Sequence, residues 1–455
     1  MRGRLAVVAV VALVHALLYI VHQRPDWPDV NVWSDQVVYE ALGENLAFRG
    51  LFTREPVGAA PVPEYARTPG YPAFVALVYR AFGVSRLAVV LVQAVLFAVL
   101  ALVAAQVGRR LASPGVGVAA GLATALYAPL PYYGALTLTD FLTAFLLTVA
   151  IATTLRAIRV PSTLQFALAG VLLGALALTR PAWALFAPGL AVALWLAGVT
   201  AARAISFRHL APVAVGSILL VGGWLAYGYV TFDRVGMVQV GFWRSAWWGY
   251  WHGVWSGAAA QEVGAAGASG ASGAELDRRL SRFGDDAPLM RRYIEEDRRI
   301  QRARYAATDT WARAAADIET ETAYRVQVLE NIRRDMPGYL FRKATYGMFV
   351  LWASDVPIRY TLINSVPRVL IRAIWLVQVV LLGLALVGLV ILTRRDRVVG
   401  TLLAMPLIYV VAVHFLLHSD PRYSLPVKPL VVVLAVLAAA ELGSRVRPRA
   451  ARTSA

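Results

Sequence analysis

Arg86-Leu-Ala-Val-Val-Leu-Val-Gln-Ala-Val-Leu-Phe-Ala-Val-Leu-Ala-Leu-Val-Ala-Ala-Gln-Val-Gly-Arg-Arg110 decides the fold class. From 86 to 108 its only polar side chains after the opening arginine are two amides, Gln93 and Gln106. A helix of that length, rising about 1.5 Å per residue, reaches across a hydrocarbon core about 30 Å thick. The stretch is apolar on every side, so it needs an apolar solvent all round it.

Outward from this stretch, comparable apolar runs occur near 5–22, 115–131, 137–157, 164–179, 182–199, 210–231, 367–392, 400–417 and 424–443. The chain is therefore expected to be an all-α polytopic membrane protein with about ten transmembrane helices, interfacial helices and one large outer loop. Of its 455 residues, 59% are hydrophobic and 16% charged, outside the range of soluble domains. There is no cysteine, which excludes disulfides and thiolate chemistry. The net charge of +17 comes in short basic clusters between apolar runs, a topological pattern and not a nucleic-acid face. The basic start at Arg2 and Arg4 resembles a signal peptide, but no small-x-small cleavage site follows the run, so an uncleaved first span is expected.

If the first span runs from inside to outside, Arg109 and Arg110, Arg156 and Arg159, Arg203 and Arg208, Arg394 to Arg397, and Arg445, Arg447 and Arg449 all fall inside, as the positive-inside rule requires. Both termini are then cytoplasmic. Counting Pro69 to Gly83 as a span would put Arg109 and Arg110 outside, so that segment and Thr345 to Trp352 are expected at the outer interface. The chain divides into an N-terminal transmembrane module, 1–231, with a first outer loop at 23–70; a large extracytoplasmic segment, 232–343; and a C-terminal transmembrane module, 344–455. Within the large segment, Gly257 to Gly273 reads as a Gly, Ala and Ser linker. Glu275 to Arg334 reads as amphipathic helices.

The outer loops carry acids, and the short inner loops almost none. Ser34 to Arg49 predicts an interfacial helix with Asp35 in its first turn, an acid placed either for the helix dipole or for chemistry. Arg67-Thr-Pro-Gly-Tyr-Pro72 predicts a turn that sets a cation near the headgroups. Thr137-Leu-Thr-Asp140 opens a span, where Asp140 serves as a cap or as a site residue. Leu178-Thr-Arg-Pro-Ala-Trp183 holds Arg180 in a turn almost too short to leave the membrane, so Arg180 needs an acid or an anionic ligand. His418-Ser-Asp-Pro-Arg-Tyr-Ser-Leu-Pro426 places His418, Asp420, Arg422 and Tyr423 within a few residues. A carboxylate base beside phosphate-binding cations suits group transfer from a phosphorylated lipid.

Ser-Asp-Gln-Val-Val-Tyr at 34–39, Arg-Thr-Pro-Gly-Tyr-Pro at 67–72, Leu-Thr-Asp-Phe-Leu at 138–142 and Gly-Ala-Leu-Ala-Leu-Thr-Arg-Pro at 174–181 resemble the C-type (GT-C) glycosyltransferases, in the protein O-mannosyltransferase and aminoarabinose transferase branch. Weaker matches are Asn331 to Leu340 and Pro421 to Pro426. The resemblance implies a glycosyltransferase that moves a sugar, with inversion, from a polyprenyl-phosphate donor to a hydroxyl of a glycan, lipid or protein acceptor. It implies Asp35 as general base, Asp140 as a second catalytic acid that orients substrate or Arg180, and Arg67, Arg180 and Arg422 as the donor-phosphate clamp. His418, Tyr71 and Tyr423 are auxiliary. No cofactor is required, although a divalent cation bridging Asp35, Asp140 and phosphate is an option. The implied setting is a bacterial plasma membrane with the site extracytoplasmic. The family's loop lysines stand here as arginine, and the chain ends about a dozen residues after its last span, so acceptor recognition is expected from 232–343.

Two rivals stay open at this point. A secondary transporter would show ionisable groups near the bilayer midplane and paired repeats; the spans are largely free of acids. A polymerase or ligase of lipid-linked polysaccharides would keep the arginines and make Asp35 dispensable. The six histidines have no zinc-type spacing.

Overall fold

The computed structural model describes residues 2–24, 34–201, 207–255, 262–263, 272–358 and 360–446, and among them there are helices and turns but no strand. The first half comprises α1 Arg2–Gln23, α2 Ser34–Arg49, α3 Gly70–Phe82, α4 Arg86–Leu111, α5 Pro114–Ala125, α6 Pro129–Gly134, α7 Thr139–Arg159, α8 Thr163–Thr179, α9 Phe186–Thr200 and α10 Phe207–Phe232. The 232–343 segment follows with α11 Phe242–Trp251, α12 Gly273–Leu280, α13 Ala287–Ala306 and α14 Thr310–Arg334. Then come α15 Met336–Arg342, α16 Met348–Ala353, α17 Arg368–Arg395, α18 Arg397–Leu416 and α19 Lys428–Val446.

Eight helical segments among the described residues are long and apolar enough to cross a membrane. The chain is an integral membrane protein of all-α, polytopic class. The other two expected spans are shorter apolar helices, α5 and α8. The run at 115–131 is not one continuous helix: α5 stops at Ala125 and α6 restarts at Pro129. Pro129 and Pro131 lack the amide hydrogen that would continue the ladder, and their rings crowd the preceding turn. α3, at 13 residues, extends only about 20 Å, too short to cross; Lys343–Gly347 and α16 are shorter still.

Helix ends follow local chemistry. Ser85 caps α4 by accepting the Ala88 amide at 3.1 Å, and Ser162 caps α8 by accepting that of Gln165 at 3.4 Å. α7 is the central staff, with 72% of its crossing window buried, against 17% in α10 and α17, whose Leu219, Val230 and Val377 are exposed on the outside of the bundle. The turn Pro421–Val427 and α19 fold back into the first half, so that Leu425 lies in one core with Val8, Phe97 and Phe141. On α7, Asp140 lies in the first turn and Arg156 and Arg159 in the last. At 1.5 Å per residue the acid and Arg159 are about 28 Å apart, which sets the candidate site and the basic cluster at opposite ends of the bundle.

The expected amphipathic helices of the 232–343 segment are α12, α13 and α14, with Leu276, Ile294, Tyr324 and Val328 buried. Trp247 of α11 is fully buried, stacks on Tyr293 at 4.5 Å and donates its indole N–H to Glu296 at 2.9 Å. Both oxygens of Glu321 accept amides at the start of α11, Gly241 at 2.7 Å and Trp243 at 2.9 Å. Most of the Gly257 to Gly273 linker lies outside the described residues.

Candidate active site

α2 packs against α3 and reaches the start of α4 through one side chain. Its Glu40 accepts two bonds from Arg86, at 2.6 and 2.7 Å, and one from Thr137 at 2.6 Å. This fixes the bend just before α7, and the start of α4, to the helix that carries Asp35. Asp35 Oδ1 accepts from Arg67 Nη2 at 2.6 Å, and Arg422 Nη2 stands 3.6 Å from the other oxygen. Arg422 also has Asp420 at 3.9 Å, and Asp420 accepts the Arg422 amide at 3.0 Å.

The second pair is deeper. Arg180 Nη1 donates to Asp140 Oδ1 at 2.7 Å, with the arginine side chain 12% exposed and the aspartate 2%. Tyr423 joins the two pairs, since the Arg180 guanidinium lies 4.6 Å and that of Arg422 5.4 Å from its ring centre, within cation–π range. Behind it the ring stacks on His414 at 4.7 Å. The five charged residues Asp35, Arg67, Asp140, Arg180 and Arg422, separated by up to 387 positions in sequence, thus form one continuous cluster around Tyr423 and Tyr39.

Exposure differs within it. Asp35 is 28% and Arg67 31% exposed, so both are open to a ligand, while Asp140 is sealed. Arg67 uses Nη2 on Asp35 and Nη1 on the Ala66 carbonyl at 3.0 Å, leaving its buried Nε without a protein partner. An unpaired guanidinium N–H in a shielded place is costly unless an acceptor meets it; a phosphate oxygen is such an acceptor.

Of the auxiliary residues, Tyr423 lies at the centre. Tyr71 is fully buried beneath it all, packed edge-on to Tyr39 at 5.1 Å with its hydroxyl donating to Gln93 at 3.2 Å, so it supports Tyr39 and does not face the arginines. Burial raises the Tyr71 phenol well above its ordinary value. His418 reaches Tyr423 at 5.8 Å, but its nearer neighbour is His252 of the 232–343 segment at 4.1 Å. Burial, helped by His252 and Lys343, pushes His418 well down, so the imidazole is neutral.

Gly70, within the predicted turn, has a further role. A Cβ there would lie 2.5 Å from the Leu178 carbonyl carbon and the Thr179 nitrogen. Only glycine lets α3 touch the end of α8 one residue before Arg180. Gly70→Ala is expected to destabilise the fold by about 1–3 kcal/mol and to lower activity by moving Arg180; thermal unfolding of the purified variant checks the first.

No protein-family model matches the chain, and no curated protein matches it. Solved structures do. The archaeal oligosaccharyltransferase AglB from Archaeoglobus fulgidus, in complex with an inhibitory peptide and a dolichol-phosphate, superposes with a TM-score of 0.53 at 14% identity, covering 97% of this chain and 50% of that one. The Archaeoglobus fulgidus enzyme tethered with an acceptor peptide containing the NVT sequon gives 0.52 at 13% identity, with the same coverage. ArnT from Cupriavidus metallidurans bound to undecaprenyl phosphate gives 0.42 at 16%, covering 97% and 79%. The chain has the GT-C fold of membrane glycosyltransferases. It spans about half the length of the oligosaccharyltransferase chains it matches.

Within this GT-C framework some residues near the site were not singled out from sequence. Asp355 follows α16, is 4% exposed and has one carboxylate oxygen without a partner. Lys428 opens α19, buried, and donates to the Trp352 carbonyl at 2.8 Å. A lysine inside an apolar run was a usable signal. Asp355 had none, since only its burial beside Tyr133 reveals it. Burial pushes its carboxyl up to about 7, against the pull of Lys428. A carboxyl raised in the folded state binds its proton more tightly than in the unfolded chain, so stability falls as pH rises from about 4 towards 7 and levels off above. Asp355→Asn is expected to flatten that slope, read as melting temperature against pH. No group of three or more possible metal ligands occurs among the described residues.

Proposed function

We propose that the chain is a glycosyltransferase that moves a sugar from a polyprenyl-phosphate donor to an acceptor hydroxyl on the non-cytoplasmic face, with inversion and with Asp35 as general base. The observation that carries this reading is the partly exposed Asp35 carboxylate set between Arg67 and Arg422. One oxygen is committed to Arg67 at 2.6 Å; the other has only the longer 3.6 Å approach of Arg422. That second oxygen can take the acceptor proton as the hydroxyl oxygen attacks the sugar C1 and the C1–O bond to phosphate breaks. The pair of electrons leaves on the polyprenyl phosphate. Arg67, Arg422 and Arg180 face that developing charge as fixed cations, pre-aligned and needing little reorganisation.

Asp140 acts on Arg180 and not on substrate, because its carboxylate is sealed and spent on the guanidinium. The dolichol-phosphate in the AglB complex supports a lipid phosphate as the donor's leaving half. The distribution of arginines along the sequence supports an extracytoplasmic site with both termini cytoplasmic. The acceptor, whether glycan, lipid or protein, meets the site beneath the 232–343 segment. The residues need no metal for this displacement, and a divalent ion between Asp35 and phosphate remains compatible with it. The experiment is transfer by purified protein in nanodiscs from a radiolabelled polyprenyl-phosphate sugar. Release of free polyprenyl phosphate with an inverted glycoside is expected; a donor left intact across a panel of hydroxyl acceptors would contradict the reading.

A further inference from the structure

The strap at 50–69 carries Arg67 yet has no helix of its own, so its position depends on side-chain fastenings. Within it, Glu64 accepts from Arg54 at 2.8 and 2.5 Å and takes the Ala66 amide at 2.7 Å. Towards α10, Phe52 packs edge-on to Trp224 at 5.6 Å. α2 holds the Thr53 and Glu55 carbonyls through Asn45, at 2.7 and 3.0 Å, and the fastening to the α13–α14 hairpin, close to Arg67, is Tyr65. Its carbonyl accepts the Gln239 amide at 2.8 Å, and its hydroxyl donates to Asp317 of α14 at 2.7 Å. The other oxygen of Asp317 lies 2.6 Å from Arg304 of α13. Asp317, itself held by α13, thus ties the hairpin to one tyrosine two residues before Arg67.

We infer that Tyr65 and Asp317 are a positioning pair, through which the outer hairpin sets how far Arg67 reaches towards Asp35 and the donor phosphate. The place of the tie argues for this. A contact that merely held the strap down would serve as well at its tip, yet Val57 there is 83% exposed and the charge-assisted bond is made beside the clamp. Two residues of extended chain span only about 7 Å, so a shift at Tyr65 passes almost undiminished to Arg67. Loss of the tie frees the strap next to the site, where displacements of about 1 Å change rates about a hundredfold. The segment expected to meet the acceptor is thereby wired to the group that holds the donor.

This inference rests on the lipid-phosphate reading of the clamp, and the test keeps the two apart. Binding of undecaprenyl phosphate alone is measured for the wild type, Tyr65→Phe, Asp317→Asn, Arg67→Ala and the Tyr65→Phe/Arg67→Ala double variant. Amide exchange over residues 50–68 is followed in the same samples. Each single change at the tie is expected to weaken binding about tenfold and to speed exchange at 66–68, with an unchanged melting temperature. In the Arg67→Ala background Tyr65→Phe is expected to add nothing, because the pair acts through Arg67. Equal losses in both backgrounds, or no loss, would overturn the inference. Should the wild type bind no lipid phosphate, the proposed function fails by itself; the tie is then judged by exchange, where faster exchange at 66–68 supports it and unchanged exchange overturns it.

Discussion

Asp35→Asn is expected to lower sugar transfer by about 10²- to 10⁴-fold, the range for loss of a general base, while binding of the lipid phosphate is kept. Asparagine preserves the size of the side chain and removes only its basicity. The ion pair with Arg67 is partly solvated, with 31% and 28% of the two side chains exposed, so its loss has a small effect on folding. Arg67 and Arg422 lose a competing anion, which favours phosphate. Rate falls and affinity does not. That split separates a base from a structural acid, and it separates this reading from a polymerase-like one in which the arginines dominate and Asp35 is dispensable. Single-turnover transfer together with polyprenyl-phosphate binding by the purified variant checks it.

Arg180→Ala has the larger effect on the molecule itself. It leaves Asp140, 2% exposed, as an uncompensated charge among apolar helices, and breaking such a pair from one side costs about 3–5 kcal/mol. A domain's whole stability is about 5–15 kcal/mol, so a variant that expresses poorly or melts far below the wild type is expected. Replacing both partners, as Arg180→Met with Asp140→Asn, removes the stranded charge and is expected to recover most of the melting temperature. Transfer stays lost, because the third cation of the clamp is gone. Melting and transfer measured on the two variants separate stability from chemistry.

The class of fold was legible in the sequence because it depends on one-dimensional patterns. Runs such as 86–108 report the bilayer through their length, and the arginines of short loops carry the proposed sidedness through their spacing. Asp35, Arg67, Asp140, Arg180 and Arg422 could each be nominated from a loop. Which acid took which cation was not legible, since the pairings Arg67 with Asp35 and Arg180 with Asp140 depend on how α2, α7 and α8 meet. The break between α5 and α6 was hidden by an unbroken run of apolar character, although Pro129 and Pro131 marked it. The Tyr65–Asp317 tie, 252 positions apart, and the burial of Asp355 leave no trace in spacing at all. Gly70 looked like a turn residue; its close approach to Leu178 belongs to packing.

The central claim is that a lipid phosphate sits among Arg67, Arg180 and Arg422 with its sugar facing Asp35. Cryo-electron microscopy of the protein in nanodiscs with a non-transferable polyprenyl-phosphate sugar tests it most directly. The account predicts phosphate density within hydrogen-bonding reach of Arg67 and Arg422, and the anomeric carbon on the side of the free Asp35 oxygen. Phosphate density at the opposite, Arg109 and Arg110 end of the bundle, or a sugar turned away from Asp35, would contradict it.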